Sequence, residues 1–167
     1  MIMLEAPEKG CFYAQGLRFS CKRCSACCRF EPGYVFLSRK DVSRLCAALD
    51  TQYDKFIEEY CRWIPAENGK GRLSLKEKRN YDCVFWSTEH GEGCQVYKAR
   101  PLQCRTFPFW TSTMSSNDSW EMTARDCPGM DHGEFHSHDS IKKTLAMRQK
   151  EPIIFNDTVS VHNVDTL

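Results

Sequence analysis

The chain has 167 residues, eleven of them cysteine, with 23 basic and 22 acidic side chains and a formal net charge of +1. That length suits one domain, and so balanced a charge argues against nucleic acid or an anionic membrane as partner. Mean hydropathy is −0.54, and no apolar run approaches the roughly 20 residues that span a bilayer.

Met1 to Gly10 carries Glu5, Pro7 and Glu8 and no basic then apolar leader. It reads as lacking a signal peptide, which places the chain in the cytoplasm, where thiols stay reduced. Phe12 to Phe19, with Phe12, Tyr13, Leu17 and Phe19, reads as a short strand, and Cys11 before it as an isolated thiol. Cys21-Lys-Arg-Cys24-Ser-Ala-Cys27-Cys28 follows, four thiols in eight positions. Intervals of two residues let one loop wrap one metal centre. Ferredoxin-type iron–sulfur sites use such a run of three with a later Cys-Pro, whereas zinc sites more often use pairs from two loops. Cys28 points away from Cys27 and serves either a second centre or the far side of the first. Lys22, Arg23 and Arg29 stand ready to offset thiolate charge.

Tyr34 to Leu37 reads as a strand. Ser38 with Asp41 three residues on forms an acidic capping box, and Val42, Leu45, Cys46 and Leu49 mark the inner face of a helix. Asp50 or Thr51 caps a second helix, with Tyr53, Phe56, Ile57, Tyr60 and Ile64 inward and Pro65 as its stop. Cys46 and Cys61 fall inside these helices as core residues. Asn68 to Gly71 is a turn, Leu73 to Leu75 a strand, and Lys76 to Arg79 a solvated stretch. Cys83 to Trp86 and Cys94 to Tyr97, joined by a Gly-rich loop containing His90, read as a hairpin that presents Cys83 near Cys94.

Pro101 opens a short helix with Cys104 in its first turn, where the macrodipole, Arg100 and Arg105 favour a thiolate. Trp110 to Met114 and Trp120 to Thr123 read as two strands around Ser115 to Ser119. Cys127-Pro128-Gly129 follows. Asp126 and Asp131 would repel thiolates and so face solvent. His132, His136 and His138 fall in a polar loop before a last helix that starts at Ser137 or Asp139. Phe85, Trp86, Phe107, Phe109 and Trp110 read as core. Ile153 to Leu167 reads as a tail or edge strand.

With Cys11, Cys46 and Cys61 set aside, eight thiols remain as metal ligands: Cys21, Cys24, Cys27, Cys28, Cys83, Cys94, Cys104 and Cys127. Clustered thiols without a secretory signal point to metal rather than disulfides. Eight thiolates take the charge from +1 to about −7. Two zinc ions or two cubane cores, each about +2, restore the same amount, so charge does not choose the metal.

The set resembles the YkgJ-type cysteine-cluster family, a zinc- or iron-chelating CxxCxxCC domain. The resemblance covers about Phe19 to Gly129. It rests on Cys21-x2-Cys24-x2-Cys27-Cys28, on Cys83 and Cys94, on Tyr97-x2-Arg100-Pro101-x2-Cys104-Arg105-x-Phe107-Pro108, and on Cys127-Pro128-Gly129. The family often has glycine after the second cysteine, where this chain has Ser25. It is labelled as metal-chelating or as an iron–sulfur oxidoreductase, and flagellin lysine methylases carry a similar domain. For methylation, no Gly-x-Gly-x-Gly stretch follows a strand. The radical Cys-x3-Cys-x2-Cys pattern fails too, because Glu31 stands where its third cysteine belongs.

The expectation is a small, irregular, metal-stapled α+β domain over 1–152 with an inserted helical pair and a tail over 153–167. Its leading function is an iron–sulfur protein, with one or two [4Fe-4S] clusters and redox activity. The alternatives are a structural zinc module that docks a protein partner and an enzyme acting on protein lysine. Arg100 and Arg105 are the expected cofactor-side residues. The partner or substrate is a protein left unidentified, with no nucleic acid and no membrane.

Overall fold

The computed structural model describes residues 10–67, 69–89 and 91–156. The expectations for the first nine residues, Asn68, His90 and the tail beyond Asn156 therefore lie outside the described residues. The fold is α+β, with five α-helices, two 3-10 turns and short antiparallel sheets among the described residues. No helix of these residues is long and apolar enough to cross a membrane. The chain divides into two compact units, each built from two stretches: Met1–Ala26 with Thr106–Met147, and Cys27–Arg105 with Arg148–Leu167.

The second unit holds the larger core. Helix α1 (Arg39–Leu49) begins at Ser38 with the capping box that the sequence announces: the Asp41 amide donates to Ser38 Oγ at 3.1 Å, and the Ser38 amide to Asp41 Oδ2 at 3.0 Å. Its Val42 and Leu45 are fully buried, with Cys46 and Leu49 packed beside them. Helix α2 (Tyr53–Tyr60) buries Phe56. The expected run of this helix to Ile64 is overturned: Cys61–Pro65 is strand β2, paired in antiparallel register with β3 (Gly71–Leu75), Cys61 opposite Leu75 and Pro65 opposite Gly71. The spacing of Tyr60 and Ile64 satisfies a helix, but Trp63 and Ile64 also suit a strand, and the partner strand decides. The cap is Gln52, whose side chain makes no capping bond, rather than Asp50 or Thr51. Cys61 is nonetheless buried at 6 % exposure, as expected of a core thiol.

Tyr34 to Leu37 forms an isolated bridge, Phe36 opposite Ser74, not a regular strand. It is still tied down: the Leu37 amide donates to Leu73 O, the Leu75 amide to Val35 O and the Val35 amide to Ser74 Oγ. Strand β4 (Trp86–Ser87) pairs with β5 (Gly93–Cys94), the expected hairpin in shortened form. Helix α3 (Leu102–Thr106) follows Pro101. Leu37, Leu45, Phe56 and Leu73 are sealed from solvent, each worth about 1.5–3 kcal/mol on burial.

In the first unit β1 (Leu17–Phe19) pairs with β6 (Met130–His136). The residues expected to make two strands from Trp110 to Thr123 instead form turns and helix α4 (Asn117–Asp126). Ser116 caps it by accepting from the Ser119 amide at 3.1 Å, which places Trp120 and Ala124 on one face. Trp120 is buried with Phe109, Met114, Met130 and Ile141. The histidines expected in a loop sit on β6 or open α5 (His138–Lys150), capped by Ser137. His136 lies 3.1 Å from Phe19 O, and His138 stacks on Tyr13. Asp131 is exposed, as expected, and also accepts a hydrogen bond from Trp120 Nε1 at 2.9 Å. After α5 the chain returns to the second unit, where β7 (Phe155–Asn156) adds to β3.

Candidate metal centre

No disulfide joins any of the eleven cysteines. Five of the eight expected ligands belong to the second unit: Cys27, Cys28, Cys83, Cys94 and Cys104. The other three, Cys21, Cys24 and Cys127, belong to the first.

Within the second unit, backbone and side chains deliver the five thiols from three directions. The end of the Cys-rich run is laid beside Cys83 by two neighbouring bonds. The Cys83 amide donates to Cys28 O at 2.8 Å, and Arg29 Nε donates to the buried Asp82 at 3.0 Å. The hairpin then presents Cys94 opposite Trp86, whose amide returns to Cys83 O. Cys104 comes from α3, which two side chains hold. Asp41 Oδ1 accepts from the Leu102 amide at 2.7 Å. Gln103 works like a piece of strand, accepting from the Phe36 amide at 3.0 Å and donating to Tyr34 O at 2.7 Å.

The electrostatics show that these thiols share one neighbourhood. Cys28 donates a hydrogen bond to Cys27, which with help from Arg100 brings the Cys27 thiol down to about 7. Cys28 itself is pushed well up, as the donor of that bond and by burial. Burial lifts Cys83 to about 11, with the charges of Cys94 and Cys27 adding to it. Cys94 is raised by burial against the pull of Arg100. Cys104 is raised by burial and by Cys83, Cys27 and Cys94, again against Arg100. The expected thiolate at the start of α3 is therefore overturned for the metal-free chain, because burial and neighbouring sulfurs outweigh the single helix turn. Among the described residues no three histidine, cysteine or acidic side chains converge on one point at metal-binding distance. The donor set nevertheless fits a soft cation: Cys28, Cys83, Cys94 and Cys104 are half-buried and held protonated by burial and neighbouring sulfurs, beside the exposed Cys27, and a divalent metal relieves that by replacing their protons.

Two cations are differently employed than the sequence suggests. Arg29 is spent on Asp82 and lies 3.6 Å from the Trp86 ring centroid, so it does not offset the thiols. Arg105 donates to Arg100 O and stands 4.0 Å from Glu151. Arg100 remains the cation that acts on Cys27, Cys94 and Cys104, its guanidinium stacked 3.7 Å from Tyr97.

In the first unit, Cys21 and Cys24 are exposed, while Cys127 packs against the aromatic core. The backbone sets Cys21 alongside the Cys127–Gly129 turn: the Ser20 amide donates to Gly129 O at 3.2 Å, and Phe19 pairs with Met130. Gly129 is needed there, because a Cβ would come within 2.4 Å of Ser20 O. Ser25 has a φ of 65°, the left-handed region that glycine enters most easily.

Sequence reasoning passed over Asp41 and Gln103 as site residues. The capping box announced Asp41, but its second role with Leu102 spans 61 residues, and nothing local marks Gln103.

The chain was compared with known proteins. A family profile described as "Putative zinc- or iron-chelating domain", CxxCxxCC, matches residues 20–128. The chain is also 26% identical over 136 residues to Uncharacterized protein MJ0661 of Methanocaldococcus jannaschii, covering 78% of this chain and 68% of the relative. No solved structure matches it. The matched segment contains all eight motif cysteines and more than half of the chain, so this protein belongs to the CxxCxxCC family, whose domain description supports metal binding.

Proposed function

We propose that the protein binds an iron–sulfur cluster and uses it for electron transfer, with the eight motif cysteines as ligands. One observation carries the reading: Cys27, Cys83, Cys94 and Cys104, from separate stretches of the second unit, are close enough to shift one another's protonation. Cys28 lies beside them as hydrogen-bond donor to Cys27. The triple Cys-x2 spacing and the distant Cys127-Pro128 favour iron and sulfide. When bound, such a cluster would supply one-electron redox chemistry. The chain's own part is to position the thiols, to lower their charge cost through Arg100, and to limit water with Trp86 and Phe85, both buried. A thiol-rich site of this kind belongs in a reducing compartment such as the cytoplasm.

The second reading is a structural zinc site. Its support is that Cys83, Cys94 and Cys104 come from dispersed segments, as zinc ligands commonly do.

Anaerobic purification followed by visible spectroscopy and analysis for iron, sulfide and zinc separates the two. Iron with acid-labile sulfide is expected. A colourless protein with stoichiometric zinc, and no gain on reconstitution with iron and sulfide, would decide for zinc. Serine at Cys27, Cys83, Cys94 or Cys104 should abolish stoichiometric metal, while serine at Cys11, Cys46 or Cys61 should not. Full metal retention in the first group would sink the ligand assignment.

A further inference from the structure

Two segments of the second unit run side by side in antiparallel order, residue 28 against 83 and residue 29 against 82. The Cys83 amide donates to Cys28 O at 2.8 Å, and one residue outward Arg29 Nε donates to Asp82 Oδ1 at 3.0 Å. The Asp82 side chain is 3 % exposed and that of Arg29 21 %, so solvent screens this pair little. The second carboxylate oxygen, Oδ2, accepts from Asn80 Nδ2 at 2.9 Å, and Asn80 Oδ1 accepts from the Asp82 amide at 3.3 Å. The Arg29 guanidinium lies 3.6 Å from the Trp86 ring centroid and 4.6 Å from that of Phe30, with Nη1 3.8 Å from the exposed Glu92. Just past the pair both segments turn outward: Phe30 and Tyr81 take φ of 75° and 66° and expose their rings. Aromatic residues seldom enter that region, and such strain persists where the surrounding contacts over-determine it.

The two segments are supported differently. The Cys83 segment is pinned without Arg29, because the Lys78 amide donates to Asp82 O at 2.8 Å and the Val84 amide to Lys76 O at 3.2 Å. Cys27 and Cys28 sit on a 3-10 turn, Ala26–Cys28, none of whose residues is buried. Core packing therefore does not place these two thiols, and the bonds to Cys83 and Asp82 do.

We propose that Arg29 and Asp82 act as one positioning unit of the metal centre: their ion pair docks the end of the Cys-rich run onto the pinned Cys83 segment and so delivers Cys27 and Cys28 to the other thiols. The proposal deepens the metal-binding reading and rests on it. The task of Arg29 is then mechanical, fixing backbone beside Cys28, and that of Asp82 is to receive it beside Cys83.

The test is an anaerobic titration of the metal-free full chain with Co²⁺, read by thiolate-to-cobalt charge-transfer absorption, for wild type, R29Q, D82N and the double variant R29Q/D82N. Outer partners of metal ligands typically change affinity by about 10–100-fold, and each single variant should weaken Co²⁺ binding by that much. At saturation the charge-transfer intensity per bound cobalt should fall, because a sulfur is no longer delivered. The double variant should bind no more weakly than the worse single one, since the effects of two residues acting as a pair do not add. Wild-type affinity in either single variant, additive losses in the double variant, or weaker binding with full charge-transfer intensity each overturns the proposal and leaves the metal reading standing. Absence of the band in wild type overturns the metal reading and this proposal with it. Should R29Q or D82N fail to fold, N80A carries the test. Asn80 is exposed and holds Asp82 by two bonds, so weaker Co²⁺ binding with reduced intensity supports the proposal, and wild-type binding overturns it.

Discussion

Removing the Asp41 carboxylate should damage the second unit more than the loss of a helix cap can explain. The side chain is fully buried and accepts four hydrogen bonds: from the Ser38 amide and hydroxyl, from Arg44, and from the Leu102 amide. In D41A the Ser38 and Leu102 amides are left buried without an acceptor, at about 1–3 kcal/mol each. Arg44 is a third exposed and recovers water, and relief from burying a charge offsets part of the loss. The net cost should be about 3–5 kcal/mol, against a total stability of about 5–15 kcal/mol for a typical protein. D41N keeps one acceptor oxygen and should cost about half as much. S38A loses the cap alone, about 0.5–2 kcal/mol. Urea unfolding of the metal-free protein, followed by circular dichroism, measures the series. The expected order is D41A, then D41N, then S38A. A D41A cost equal to that of S38A would refute the reasoning, because the bond to Leu102 would then contribute nothing.

Further outcomes follow from the site. R100A should weaken metal retention while R105A leaves it near wild type, because Arg100 acts on Cys27, Cys94 and Cys104 whereas Arg105 is turned to Arg100 O and Glu151; competition with a chelator reads the difference, and equal losses would contradict the assignment. In the metal-free protein, alkylation of Cys27 should rise through about pH 7, and that of Cys83 only near pH 11, resolved by peptide mapping. The linked stability has opposite signs. The depressed Cys27 thiol stabilises the fold fully above the ordinary value of 9.0 and loses that contribution as pH falls through about 7. The raised Cys83 thiol stabilises it below 9.0 and loses its contribution as pH rises through about 11. G129A should destabilise the β1–β6 pairing by about 1–3 kcal/mol through overpacking against Ser20, whereas G33A, with open space at its Cβ, should change thermal stability little.

Local chemistry made part of this fold legible. The Ser38–Asp41 box, the inner face of α1 and the hairpin bearing Cys94 each depend on residues a few positions apart; the first two formed as read, and the hairpin formed over fewer residues than expected. Distant pairing hid the rest. Met130 to His136 is a polar run with no strand pattern of its own, and its order comes from Leu17 to Phe19, more than a hundred residues earlier. Cys61 to Pro65 continues a helical spacing until β3 claims it. Around Trp110 and Trp120, aromatic and threonine content suggested strands, and the Ser116 cap prevailed. At the site, motif spacing picked out the thiols, but it had no means to reveal that Arg29 serves Asp82 and Arg105 faces Glu151. Those assignments are fixed by geometry between remote segments.

The interleaving of the two units has a consequence for how the protein is made. Strand β1 has no partner until Met130 to His136 has been synthesised, and the second unit lacks β7 until Phe155 and Asn156 have been added. At about 5–20 residues per second, the first strand waits on the order of ten seconds, with the Cys21–Cys28 run already outside the ribosome for much of that time. No single cut in the chain can separate one unit from the other, since each draws on both halves. The cysteines of the run from Cys21 to Cys28 are therefore made well before Cys83, Cys94, Cys104 and Cys127, which follow in that order.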